Sequence, residues 1–155
     1  MTRAVCAALA LVAASAAHAA PSGCVVLDGV PEGPRLATLM PAAPGRTFSV
    51  TYIHSVTHTP VLETYRIDGS TLVQTSIEFT EHGPGLPTAP DAGQTWRDID
   101  GRFVVTLDRH FDSIRMRVHR DQSPRLLDGA RSVDLAQWGN RPVVLGVAPC
   151  RGEGE

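Results

Sequence analysis

Apolar and polar residues alternate in short runs along most of the chain, and Gly, Pro and Asp-Gly steps punctuate them. A period of two predicts β-strands rather than helices. Phe48, Val50, Tyr52 and His54 share one face of one run, and Val61, Glu63, Tyr65 and Ile67 share one face of the next. A hairpin turning about His58-Thr59 sets His54 opposite Glu63, Tyr52 opposite Tyr65 and Val50 opposite Ile67. Direct opposition brings Cβ atoms to about 5 Å, within reach of an imidazole–carboxylate contact. Ser55 points away from His54 on an extended strand, which argues against a serine nucleophile served by its neighbour.

The same reading predicts strands at 24–27, 72–80, 95–99, 102–107, 113–119 and 142–147. Val73, Thr75, Ile77 and Phe79 are expected on one face, and Ile114, Met116 and Val118 face inward while Arg115, Arg117 and His119 face out. Pro31, Pro34, Pro41 and Pro44 mark a link, and residues 133–138 read as a single helical turn. Asp100-Gly101 is the strongest two-residue hairpin signal. Three glycines and three prolines within 81–94 predict an ordered loop. With only 5% aromatic residues, the core rests mainly on Val, Leu and Ile. The fold class is all-β: a small single-domain antiparallel sandwich or partly open barrel of about eight strands.

Residues 1–19 read as a secretory signal: Arg3, an apolar run over 4–17, and Ala17-His18-Ala19 before a cleavage point. The apolar run falls short of the roughly 20 residues a bilayer span needs, so no stable membrane insertion is expected. The exported domain is then 20–155, with its core at about 24–150, and its expected location is the periplasm. Of the three cysteines, Cys24 and Cys150 remain, and an oxidising compartment predicts a disulfide between them. The rival is a lipid anchor at Cys24, against which Pro21 stands where a lipobox wants an apolar residue. All 14 basic residues are arginine, which removes lysine-based covalent chemistry. A net charge of −2 gives no basic excess to hold a phosphate backbone, so nucleic acid is not an expected partner.

Four constellations are candidates for function. His54 and Glu63 are a contact site or a register-fixing pair. His54, His58, Glu81 and His82 offer imidazole and carboxylate ligands for a divalent metal, though without a compact motif. Gly83-Pro84-Gly85-Leu86-Pro87 is a stiff loop that a partner can approach closely; it lacks the spacing and lysine of a phosphate-binding loop. Arg115, Arg117, His119 and Arg120, with Arg109 nearby, can hold a carboxylate or an acidic patch, or simply be a solvated face. No nucleophile elbow or carboxylate pair is present, so no enzyme activity and no cofactor is expected.

The His54-Ser55-Val56 strand end, the Thr59-Pro60-Val61-Leu62-Glu63 run and the later 83–87 loop resemble the bacterial family catalogued as domain of unknown function 1850. The resemblance spans roughly residues 24–150. It departs in lacking the acidic residue that many relatives carry after His-Ser-Val and in reading Gly-Pro-Gly-Leu-Pro at the loop. It implies a small exported accessory of a TAXI-type tripartite (TRAP) transporter, meeting the permease or its substrate-binding protein. The contact residues so implied are His54, Ser55, Thr59, Pro60, Glu63, Gly83, Gly85, Leu86 and Pro87. The alternative is a module that binds a small organic acid or a divalent metal.

Overall fold

Strand pairing satisfies the backbone of nearly every alternating run in the computed structural model, which describes residues 23–31 and 33–150. The expected signal segment and its cleavage point lie outside the described residues. In chain order the strands are β1 (Cys24–Gly29), β2 (Arg35–Pro41), β3 (Thr47–Ile53), β4 (Pro60–Asp68), β5 (Thr71–Phe79) and β6 (Trp96–Ile99). They continue with β7 (Arg102–Phe111), β8 (Ser113–Val118), β9 (Arg125–Asp128), β10 (Arg131–Asp134) and β11 (Arg141–Ala148). Short 3-10 turns lie at Arg120–Gln122 and Leu135–Trp138. No helix among the described residues is long and apolar enough to cross a membrane.

Two antiparallel sheets stack face to face without closing into a barrel: a four-stranded sheet, β2-β1-β11-β8, and a seven-stranded sheet, β10-β9-β3-β4-β5-β7-β6. The fold is therefore the sandwich of the two expected architectures. The unequal strand numbers have a direct consequence for packing. The first core lies between the sheets, where Val25, Leu27, Val143 and Leu145 meet Phe48, Val50, Tyr65, Ile67 and Leu126. A second core, Val61, Ile77, Phe79, Val105 and Leu107, sits on the part of the larger sheet that overhangs its partner. Its remaining buried member, Leu86, comes from the 83–87 loop, so that loop roofs an apolar surface the small sheet does not cover.

The described residues form eleven strands rather than about eight. β2 lies inside the expected proline-rich link: Pro34 precedes it and Pro41 ends it, positions where a missing N–H costs no interior ladder bond. Irregular pairing between β1 and β2 leaves Leu39 and Met40 adjacent and both buried, which hides the alternation. β9 and β10 have four residues each, too few for a periodic signal. The expected helical turn at 133–138 begins as the end of β10 and becomes 3-10 only from Leu135. On β5, an irregularity between Gln74 and Ser76 breaks the alternation, so Val73 and Thr75 do not join the core that holds Ile77 and Phe79. Asp100 and Gly101 form the expected tight turn, with φ of 54° and 77° and Ile99 paired with Arg102.

Cys24 and Cys150 are joined in a disulfide that closes the two ends of the domain. With its sulfur in that bond, Cys24 has no thiol to offer a lipid anchor. The cysteines are 126 residues apart, and constraining so long a loop stabilises by about 4–5 kcal/mol on the chain-entropy model. Replacing both with serine should lower the unfolding free energy by up to that amount. Urea unfolding of the two forms checks this, and equal midpoints at equal slope would refute it.

Candidate functional site

The turn between β3 and β4 begins with a register that differs from the expected one. The ladder closes at Ile53–Pro60, with Tyr52 opposite Val61, Val50 opposite Glu63 and Phe48 opposite Tyr65. His54 is therefore not opposite Glu63, and residues 54–59 form a loop in place of a tight turn at His58-Thr59. The shift is an even number of residues, so the expected faces survive while the partners change. The wider loop is held from within. His54 N–H donates to the Thr59 carbonyl at 2.9 Å, and His58 N–H donates back to the His54 carbonyl at 2.9 Å. His58 takes the left-handed conformation, φ 56°.

The imidazole of His54 completes this loop. Its Nδ1 accepts from the backbone N–H of Val56 at 3.3 Å and of Thr57 at 3.2 Å. A ring nitrogen accepting two N–H groups carries no proton, so Nε2 carries it and donates to the Pro84 carbonyl at 3.1 Å. The side chain is buried, at 7% exposure, with both nitrogens engaged. Gly83 lies against the ring: a Cβ there would stand 2.7 Å from His54 Cε1 and 3.0 Å from Thr57 Cγ2. The His-Ser-Val segment and the 83–87 loop, far apart in sequence, thus meet through one ring.

The loop has its own internal logic. Leu86 N–H donates to the Gly83 carbonyl at 3.0 Å across Pro84 and Gly85, with Gly85 at φ 86°. Proline then glycine of positive φ at the two central positions is the type II turn pattern. A second histidine holds the far end: His82 Nδ1 donates to the Pro87 carbonyl at 3.1 Å. The His82 ring packs 4.7 Å from Phe103 and 5.4 Å from Phe79, between centroids. Ser55, Val56, Pro60, Pro84 and Gly85 are exposed, and Val56, at 61%, is one of the two exposed large apolar side chains among the described residues. Leu86 is buried and anchors the loop, so it is not a contact residue as expected. Thr59 is half-buried and its hydroxyl bonds Thr57's at 2.8 Å, bracing the turn.

Glu63 belongs elsewhere. Tyr52 donates its hydroxyl to Glu63 Oε1 at 3.0 Å, and Tyr65 donates to Oε2. The carboxylate is an internal acceptor on the core-facing side of the larger sheet, flanked by Val50 and Ile77. Burial, then the negative charge of Glu63 and these hydrogen bonds, push both phenols above their ordinary range. The period-two pattern had already set Tyr52, Glu63 and Tyr65 on one face; what it missed was the register that brings their tips together. Among the described residues no group of three or more His, Cys, Asp or Glu is placed to hold a metal. In particular, His54, His58, Glu81 and His82 do not converge, because His54 and His82 turn their rings to backbone carbonyls. Arg115 and Arg117 face solvent on β8, an edge strand, and Arg109 lies 4.0 Å from Asp91.

Residues 48–135 match the model of a family described as Domain of unknown function (DUF1850), more than half of the 155-residue chain. The matched stretch contains the His54 turn, Glu63 and the 83–87 loop. No curated protein and no solved structure matches the chain.

Gly83→Ala should displace the His54 ring and destabilise the domain by about 1–3 kcal/mol. His54→Ala should cost about as much by leaving two N–H groups and a carbonyl short of partners. In both, amide exchange at Val56, Thr57 and Leu86 should accelerate together; independent exchange would separate turn from loop. Tyr52 and Tyr65 are the chain's only tyrosines. Their raised folded-state pKa values mean that stability is fully present below the unfolded value of about 10 and declines as pH rises above it. Tyrosinate absorbance should therefore appear only with loss of the folded circular dichroism. A titration near the ordinary value in the folded protein would contradict the buried Tyr–Glu–Tyr cluster.

Proposed function

We propose that this chain, which belongs to the DUF1850 family, is an exported, non-enzymatic docking module. The observation that carries this reading is the His54 ring bonded to both the Val56–Thr57 backbone and the Pro84 carbonyl, which makes one rigid surface from two motifs. A surface ordered before contact loses little conformational freedom on binding, so its affinity is not spent on ordering loops. Ser55, Val56, Pro84 and Gly85 are its exposed points. Catalysis draws no support from the same atoms, since both nitrogens of His54 are engaged and leave no base for Ser55.

The partner in this reading is a membrane permease of the TAXI-type tripartite class or its substrate-binding protein. Its support is the family resemblance together with the signal-like first segment. The protein then acts in the periplasm by protein–protein contact and takes no cofactor. A tagged copy expressed in its own host, with membranes gently solubilised, should recover one of these two components. Val56→Asp should reduce that recovery about tenfold while leaving the melting temperature unchanged, because an exposed turn residue contributes to contact and not to the core. Equal recovery with Val56→Asp, or recovery of the chain alone from a host expressing the transporter, would overturn the proposal.

A further inference from the structure

A cleft of about 270 Å³ opens between the His54 turn and the 3-10 turn at Arg120–Gln122. Besides His54, it is lined by Ile53, Ser55 and His58 on one side and by His119, Asp121 and Gln122 on the other. The volume is smaller than most small-molecule sites and suits one long side chain. Its two walls are held by other groups. The His54 turn is braced through His54, Thr57 and Thr59. The second wall is braced through its backbone, with Gln122 N–H donating to the His119 carbonyl and Ser123 N–H to the Arg120 carbonyl.

The lining is rich in hydrogen-bond acceptors. Asp121 is exposed and brings a carboxylate, Gln122 an amide oxygen and Ser55 a hydroxyl, and the imidazoles of His58 and His119 each offer a bare nitrogen in their neutral form. With imidazole neutral, Asp121 carries the one formal charge among the described residues that line the cleft. Arg120, its neighbour in sequence, lines a different cleft with Ser123 and Arg125. Among the described residues no cation lies within ion-pair distance of the Asp121 carboxylate. Arg120 N–H donates to Asn140 Oδ1, which sets this segment at the Arg141 end of β11. Arg151 follows Cys150 beyond the opposite end, about 23 Å away at roughly 3.3 Å per residue, and Arg3 belongs to the expected signal segment. Ile53 adds an apolar wall, and the exposed Val56 stands on the same turn. A guanidinium is a weakly hydrated planar cation with five N–H donors and no acceptor, on a stem that packs along apolar surface.

We propose that this cleft receives an arginine side chain projecting from the partner's surface, with its guanidinium on Asp121 and its stem along Ile53 and Val56. The inference rests on the docking reading and adds the chemistry of the partner at that surface, which is basic and carries an arginine. Arginine is among the residues that most often concentrate the binding energy of an interface, and a cleft beside an exposed apolar side chain gives it both a polar end and an apolar flank.

The test has two arms. In the first, the labelled protein is titrated with N-acetyl-arginine-N-methylamide and with N-acetyl-lysine-N-methylamide at constant ionic strength. The titration is run at pH 8, where imidazole is ordinarily neutral, and followed by amide chemical shifts. Saturable shifts at Ser55, His58, Asp121 and Gln122 are expected, with the arginine derivative binding several-fold tighter because only the guanidinium presents a planar fork. Asp121→Asn should weaken that binding about tenfold and Asp121→Arg should abolish it, since a charge-assisted hydrogen bond is lost and then a like charge faces the cation. In the second arm, Asp121→Arg should lower recovery of the transporter component about tenfold at an unchanged melting temperature. No saturable shift at these residues, equal affinity for the two derivatives, or full recovery with Asp121→Arg would overturn the inference. Recovery that Val56→Asp lowers and Asp121→Arg does not sinks this inference alone, whereas a wild-type chain recovered without either component sinks the docking reading and this inference with it.

Discussion

One imidazole organises the functional end of this domain. His54 stands where β3 stops, and its two nitrogens face opposite demands: Nδ1 accepts two N–H groups of its own turn, and Nε2 donates to the Pro84 carbonyl. Only the neutral ring, protonated at Nε2, satisfies all three bonds. Gly83 follows from the same constraint, because the ring occupies the volume a side chain would need. The two motifs are thus two halves of one structure, joined after the chain has travelled out and back through β4 and β5.

The loop exists in this form because the sheets are unequal. Seven strands against four leave one end of the inner face of β5 and β7, at Ile77, Phe79, Val105 and Leu107, outside the core shared with the smaller sheet, and an apolar overhang of that kind does not stay open to water. Leu86 fills the place in one cluster with Phe79, against which Trp96 and Phe103 pack, and the His82 ring lies 4.7 Å from that of Phe103. Anchoring and presentation are therefore divided among adjacent residues of one short loop. Leu86 points in and holds; Pro84 and Gly85 point out and are available for contact. A type II turn is what permits this division, since it reverses the chain between an exposed proline and a buried leucine.

Much of this architecture was legible in the sequence. Alternation identified the strands β3, β4 and β8 and the face each presents, the β7 and β11 runs were legible as strands, and Asp100-Gly101 fixed one hairpin. What alternation could not supply was register. Faces depend on parity alone, so a shift of the β3–β4 pairing by an even number of residues left the pattern intact while changing every partner. The error moved Glu63 from His54 to the two tyrosines. β2 was lost for a different reason: prolines at its ends and a disturbed ladder inside erased the local signal, and its burial comes from contacts across the sandwich.

Glu63 shows how one polar residue in an apolar layer can specify that register. On the core side of the larger sheet, an unpartnered carboxylate would be costly, and each candidate register offers it different neighbours. With Val50 opposite, Tyr52 and Tyr65 bring one hydroxyl to each oxygen, and both tyrosines keep their rings in apolar surroundings. The register with His54 opposite Glu63 would have taken the imidazole away from Pro84 and left the 83–87 loop without its tie. The arrangement that satisfies Glu63 internally is therefore also the one that frees His54 to join turn and loop. Interior polarity and surface presentation at this end of the sandwich are set by the same choice of strand pairing.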